Sequence, residues 1–404
     1  MWVIPQLIFL GIDWVSFGID FLSFYGIYLG ISLALNLEFG YAGIPNFGKV
    51  LFVAGGAAFA GSISGRLAQY VFAIRGDFII QNTSIINTID TKLVNDPVFV
   101  AELILVSLVI AASVGAMFGF LASYPAIRLR EDYLGMLLLG SAQFFQVVMR
   151  TYEPLVGGAQ NINVPDPYFY WSTLPTGTGA GDRTLVAALV AGLFGLVVFM
   201  FAQRLGKSPL GRTLRAIRDN EDAARALGKD DAAMRRNILI IASAISGVAG
   251  ILITFQIASV EWDYWSRFAW TFWPFLIVII GGSGNNFGTA VGAFFFTLAY
   301  KGLQVLQPHV AGFLPFDPNW LQDLAFAAVL IMILLLRPDG LIREKPTPTL
   351  PRGKLVQLVA AMKAPAPNQT DGSKGKGFFR RLVGRVWPRK EKSEDPGPPP
   401  KSNR

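Results

Sequence analysis

Gln203-Arg204-Leu205-Gly206-Lys207-Ser208-Pro209-Leu210-Gly211-Arg212-Thr213-Leu214-Arg215-Ala216-Ile217-Arg218, running on to Arg235-Arg236, lies between two apolar stretches at 184–203 and 238–258. Each neighbour approaches the roughly 20 residues that a helix needs to cross the hydrocarbon core of a bilayer. A cationic insert between two such stretches reads as a cytoplasmic loop of a membrane protein, because short loops rich in Lys and Arg stay on the cytoplasmic side. The rest of the chain agrees: nine of its 35 Lys and Arg fall in 204–236 and sixteen in 337–404.

Working outward, apolar stretches recur at 18–37, 49–73, 98–127, 133–150, 268–282, 289–306 and 319–336, which with the two flanking the loop makes nine crossings. Residues 2–17 offer a half-length tenth. Two cytoplasmic segments must be separated by an even number of crossings, and the four spans from 238 to 336 satisfy this. Counting back puts Arg128-Leu129-Arg130-Glu131-Asp132 inside, and the loops 74–97 and 151–183 outside. The second of these loops is rich in Gly, Pro, Asn and the aromatics Tyr168, Phe169, Tyr170 and Trp171, as interfacial anchors require. The predicted fold is therefore an all-α polytopic membrane protein of about nine or ten transmembrane helices, some of them broken. It divides into N-terminal helices (1–203), a cytoplasmic loop (204–237), C-terminal helices (238–342) and a basic, Pro-rich tail (343–404). Within that tail only Gly377–Trp387 mixes aromatic and basic residues so as to lie on an anionic leaflet; a disordered basic tail is the alternative.

Composition narrows the function. With 404 residues, 52% hydrophobic and only 15% charged, the chain needs lipid rather than water around it. Its net charge of +8 sits in the cytoplasmic segments, where orientation and anionic lipid account for it without nucleic acid. There is no Cys and a single His, His309, so metal and haem sites lack ligands and no cofactor is expected. Leu205-Gly206-Lys207-Ser208 mimics the end of a phosphate-binding loop, but the required Gly five positions before Gly206 is Phe201. Any dependence on ATP must come from another polypeptide.

Two apolar regions are interrupted by Gly and Asn: Gly40-Tyr41-Ala42-Gly43-Ile44-Pro45-Asn46-Phe47-Gly48 and Gly281-Gly282-Ser283-Gly284-Asn285-Asn286-Phe287-Gly288. Broken segments recurring in two parts of a transporter point to a substrate pathway, since unwound backbone at membrane depth needs protein or water around it. The competing reading is tight turns or close helix packing by small residues. In the loop, Leu210, Leu214 and Ile217 recur at four and three with Arg215 and Arg218 off that stripe, which predicts an amphipathic surface helix and a second helical turn ending at Gly228. The plainer alternative is a charged connector.

The loop resembles the coupling segment of ABC importer permeases, whose Glu-Ala-Ala and following Gly match Glu221, Ala223, Ala224 and Gly228 with Asp222 inserted. More widely, Asn36-Leu37 through Gly48, Arg128 to Tyr133, Gly157-Gly158, Ser208 to Gly228, Ile280 to Gly284 and Arg337-Pro338-Asp339-Gly340-Leu341 follow the order seen in branched-chain amino-acid permeases of the second-subunit type. The resemblance covers about residues 30–342 and implies a type II-like importer fold. It implies a homologous second permease, two cytoplasmic ATPase subunits, an extracytoplasmic solute-binding protein and surrounding lipid as partners. It assigns ATPase coupling to Arg215, Arg218, Glu221, Ala223, Ala224 and Gly228, and the substrate pathway to Asn36, Gly40, Tyr41, Gly43, Asn46, Gly157, Gly158, Gly281, Gly282 and Gly284. Two departures stand out: Ile44-Pro45-Asn46-Phe47 replaces a Gln-Leu-Ser type run, and Ala142-Gln143 replaces a Gly-Glu pair. These leave urea or short amides as alternative solutes. An ion-coupled secondary transporter is the rival class, with Asp20, Glu38 and Glu102 as its candidate carboxylates; all lie near span ends, where solvation explains them.

Overall fold

The computed structural model describes residues 14–129, 131–172, 180–310, 318–337 and 340–344. The helices of the first half are α1 (Trp14–Leu35), continued by a π-helical turn over Asn36–Tyr41, then α2 (Lys49–Val71), α3 (Asn82–Leu93), α4 (Pro97–Arg128) and α5 (Glu131–Thr151). Two single turns, α6 (Glu153–Val156) and α7 (Phe169–Ser172), lead to α8 (Ala180–Lys207), α9 (Pro209–Asp219), α10 (Glu221–Ala226) and α11 (Asp231–Ile257). A second π-helical turn, Phe268–Phe272, runs into α12 (Trp273–Gly281), followed by α13 (Asn286–Val310) and α14 (Pro318–Leu336). A two-stranded ribbon pairs β1 (Ile162–Asn163) antiparallel with β2 (Ser259–Val260).

A helix stands at each of the nine predicted spans, and six of them are long and apolar enough to cross a membrane: α1 with its π turn, α2, α4, α8, α11 and α13. The predicted half-span at 2–17 lies mostly outside the described residues, as do Arg130, Pro338-Asp339 and all of the tail beyond Glu344, Gly377–Trp387 included. The loop expected at 74–97 instead holds α3, whose Ile85, Ile86, Ile89 and Leu93 are buried at helical spacing.

Helix starts follow from local chemistry. The Asp96 carboxylate accepts the Phe99 N–H beside Pro97, and Ser208 Oγ accepts the Gly211 N–H at 3.3 Å beside Pro209. Asn220 and Asp230 cap α10 and α11 in the same way through the Ala223 and Ala233 N–H groups, each at 2.9 Å. These oxygens satisfy first-turn donors that have no partner inside the helix.

At the centre, α11 packs between α2 and α4 through small residues that let backbones touch. A Cβ on Gly56 would lie 2.5 Å from Gly247 Cα, and one on Gly119 would lie 2.7 Å from Ser243 Cβ. Apolar tails gain little by leaving lipid, so close backbone approach is what holds such helices together. A second cluster is aromatic: Tyr28 of α1 stacks on Trp270 at 5.3 Å between ring centres and neighbours Phe296 at 5.9 Å, and Phe296 stacks on Phe326 at 4.7 Å. The bundle has two ends. One carries α9 together with the α1–α2 turn, the α12–α13 turn and residues 340–344; the other carries α3, α6, α7 and the ribbon.

Candidate functional site

The α9–α10 pair lies against one end of the bundle. Gly211, Leu214 and Ile217 are buried, whereas Arg212, Ala216 and Asp219 are exposed. Arg215 and Arg218 turn toward the bundle: the Arg215 guanidinium lies over the Tyr41 ring at 4.6 Å, and Arg218 Nη1 donates to the Gly40 carbonyl. In α10, Ala224 is buried and Ala223 exposed, while Glu221 pairs with both Arg225 and Arg235, the latter at 3.0 Å. Arg225 in turn pairs with Asp231 at 2.8 Å, which fastens α10 to the start of α11. The tip is open: Leu227 is 81% exposed, and a Cβ on the left-handed Gly228 would meet nothing within 4 Å.

Both broken segments are turns at this same end, and they touch. The Asn36 carboxamide donates to Asn286 Oδ1 and accepts the Gly284 N–H, each at 2.9 Å. A Cβ on Gly40 would collide with the Gly284 backbone, so only Gly allows the contact. Gly282 has φ of +104°, a conformation that L side chains avoid. Asn36, Gly40, Tyr41, Gly43, Asn46, Gly281, Gly282 and Gly284 thus gather near α9. Gly157 and Gly158 do not join them: they lie at the opposite end, between α6 and β1, against Asn161 and Arg150.

Glu38 is not the solvated span-end carboxylate that the sequence suggested. It is fully buried in the π turn, and its Oε2 accepts from Lys49 Nζ and Asn46 Nδ2, both at 3.0 Å. Lys49, also fully buried, donates to the Ala242 carbonyl at 3.4 Å. Glu102 and Asp20 are exposed. The two partners of the buried pair are eleven positions apart across a π turn and an irregular loop, so no periodic signal joins them.

The opposite end is closed by a carboxylate network. Arg183 pairs with Asp166 and donates to the Gln256 carbonyl at 3.0 Å, and Asp90 Oδ1 accepts the Asp166 N–H at 3.0 Å. Burial pushes the Asp90 carboxyl up to about 7, opposed by the Asp166 N–H and reinforced by the Asp166 charge. The folded protein therefore holds this proton more tightly than the unfolded chain does. The resulting stabilisation is complete below pH 4 and is lost as pH rises toward 7. Melting temperature is expected to fall across that window by the equivalent of about 2 kcal/mol, discounted for the partial hydration that Asp90 keeps. Asp90→Asn, which retains the acceptor oxygen, should flatten this component; a variant with the same pH slope as the wild type would exclude Asp90 as its source.

One helix at a predicted span differs from the six apolar ones. α5 is not among the apolar helices, and its outward face combines exposed Tyr133, Met136, Leu137, Gly140, Phe144 and Val147 with half-buried Ser141, Gln143 and Gln146. Phe268 and Phe272 of the second π turn are each about two-fifths exposed. Such amides belong against water, solute or protein rather than lipid, and Gln146 donates to the Trp262 carbonyl at 3.4 Å.

Comparison with known proteins bears on what such an arrangement serves. The family described as branched-chain amino acid transport system permease component matches residues 18–334. The chain is 34% identical over 342 residues, 84% of its own length and 97% of the relative's, to a probable branched-chain amino acid transport permease protein LivM of Methanocaldococcus jannaschii. It is 26% identical over 250 residues, 58% of this chain and 56% of the relative, to the high-affinity branched-chain amino acid transport system permease protein LivM of Escherichia coli. An autoinducer 2 import system permease protein LsrC of Photorhabdus laumondii is 30% identical over 156 residues, 37% of this chain and 42% of the relative. No solved structure matches the chain.

Proposed function

This chain belongs to the family of branched-chain amino acid transport system permease components, and from that premise we propose that it is one permease half of an ATP-driven importer of branched-chain or similarly apolar amino acids. The end of the bundle that carries α9 faces the cytoplasm, because it gathers the cations of 204–236. Of the two ATPase subunits, one docks there on the open tip around Ala223, Leu227 and Gly228. A homologous permease completes the conduit, and an extracytoplasmic binding protein delivers solute at the ribbon end, beside Gly157 and Gly158. The polypeptide itself hydrolyses nothing and needs no cofactor.

The observation that carries this reading is the place of Arg218, which leaves the cytoplasmic helix α9 and hydrogen-bonds the Gly40 carbonyl in the first broken turn. A displacement of α9 by a closing ATPase pair reaches the turn that joins α1 to α2 without passing through an intervening element. The touching turns, with Asn36, Gly40, Tyr41, Gly43, Asn46, Gly281, Gly282 and Gly284, act as the inner gate. The solute passes along the outward face of α5, where Gln143 supplies a hydrogen-bonding group just past the midpoint of the helix.

The test is uptake of leucine into proteoliposomes containing this permease, its homologous partner and the ATPases, energised by ATP or by an ion gradient. Uptake driven by the gradient alone would make it a secondary transporter. In the ATP-driven system Gln143→Leu is expected to lower uptake about tenfold, the equivalent of one lost hydrogen bond, with assembly unchanged. Undiminished uptake would remove Gln143 from the path.

A further inference from the structure

The segment that follows α14 returns to the second broken turn and is built into it. The Leu341 N–H donates to the Ile280 carbonyl at 2.8 Å and the Ile342 N–H to the Gly281 carbonyl at 3.2 Å. Asn285 Nδ2 completes the attachment through the Ile342 and Arg343 carbonyls, at 3.4 and 3.2 Å, while its Oδ1 accepts the Phe287 and Gly288 N–H groups. At the end of this strap stands Glu344, with one oxygen 2.8 Å from Arg215 Nε and the other 3.0 Å from Arg218 Nη2. Arg218 also pairs with Asp219 at 2.9 Å, but Asp219 rides on α9 itself and ties it to nothing else. Glu344 is therefore the carboxylate that joins both inward-facing cations of α9 to the α12–α13 turn. Arg218 reaches the α1–α2 turn from the same guanidinium.

We propose that Glu344 is the positioning residue of the coupling device: its carboxylate bridges Arg215 and Arg218 so that α9 and both broken turns move as one body. Without it, α9 keeps its apolar seat on Leu214 and Ile217 but slides against the second turn, and the stroke delivered by the ATPases is partly lost. Both ion pairs are about three-quarters shielded from solvent, where opposite charges attract more strongly than in open water. This inference rests on the ATP-driven reading given above.

The experiment has two arms. In the isolated full-length permease in lipid nanodiscs, a spin label at Ala216→Cys, on the exposed face of α9 in a chain without Cys, reports the mobility of the helix. Glu344→Gln should raise that mobility. In the reconstituted complex, Glu344→Gln should lower the leucine transported per ATP hydrolysed about tenfold while ATPase rate and melting temperature stay near the wild type. Glu344→Asp, which keeps the charge but retracts it by one methylene, should recover part of both. A structural role alone would lower melting temperature and yield without moving the transport-to-hydrolysis ratio, and that outcome overturns the proposal. So does unchanged label mobility. If Glu344→Gln gives too little folded protein to measure, Glu344→Asp takes its place with smaller changes of the same sign expected, and wild-type label mobility and transport-to-hydrolysis ratio in it overturn the proposal. Absence of ATP-driven uptake in the wild-type complex would instead defeat the importer reading, and the label arm would still judge the clamp.

Discussion

Lys49→Met is expected to leave almost no folded permease. Lys49 and Glu38 are both fully buried, 3.0 Å apart, where the π turn ending α1 meets the start of α2. Removing the ammonium strands a carboxylate in an apolar bundle with only Asn46 Nδ2 as donor, and its Oε1 already has no hydrogen-bond partner. Breaking one side of a buried pair costs about 3–5 kcal/mol, a large share of the margin by which most proteins are stable. The measurement is the yield of monodisperse protein after detergent extraction, followed by thermal unfolding of what survives. Replacing both partners, Glu38→Leu with Lys49→Met, removes the uncompensated charge and should recover most of the loss, because isosteric apolar pairs are often as stable as the ions they replace. A single variant that melts with the wild type would mean that the pair adds nothing to the fold. A double variant no better than the single would mean that the loss comes from packing around Lys49, not from its charge.

That pair also marks where the sequence ceased to be legible. Six of the nine crossings could be read because those apolar stretches carry their length in consecutive residues, and α9 because Leu214 and Ile217 repeat at helical spacing; both are buried in the structure. α3 escaped notice because its four buried apolar positions are diluted by Asn, Thr, Asp and Lys, although Ile85, Ile86, Ile89 and Leu93 do repeat at three and four. Contacts set by the tertiary path were invisible. Gly40 meets Gly284 across more than half the chain, and Glu344 meets Arg215 only because the strap folds back on Gly281. Motif order along the chain placed Gly157 and Gly158 with the other pathway residues, but order carries no information about which end of a bundle a residue occupies. The amphipathic pattern correctly gave α9 a buried stripe. It did not reveal that Arg215 and Arg218, off that stripe, would also turn inward toward Tyr41, Gly40 and Glu344, since their partners come from distant segments.

Gly250→Leu should be as damaging as the loss of Lys49, for a steric reason that the bundle makes specific. Gly250 sits where α11 crosses α2, and a Cβ there would run into the Val53 carbonyl, with Val53 C at 2.9 Å and Ala57 N at 3.0 Å. All three neighbours are backbone, so no side chain can swing aside and relief requires the helices to separate. One turn away, Gly247 is held equally close to Ala111 and Gly115 of α4, so α11 cannot retreat from α2 without pressing on α4. Overpacking by a single methyl costs about 1–3 kcal/mol even where side chains can adjust, which sets the floor for Gly250→Ala; the leucine substitution should abolish folded protein. Gly302 of α13 supplies the contrast, because a Cβ there meets nothing within 4 Å. Gly302→Ala should be neutral or stabilising by up to about 1 kcal/mol through helix propensity. Melting temperatures of the two alanine variants, purified in the same detergent, therefore separate backbone contact from propensity. Equal shifts at the two positions would mean that α2 and α11 are not in backbone contact, and the close central packing described for this bundle would not stand.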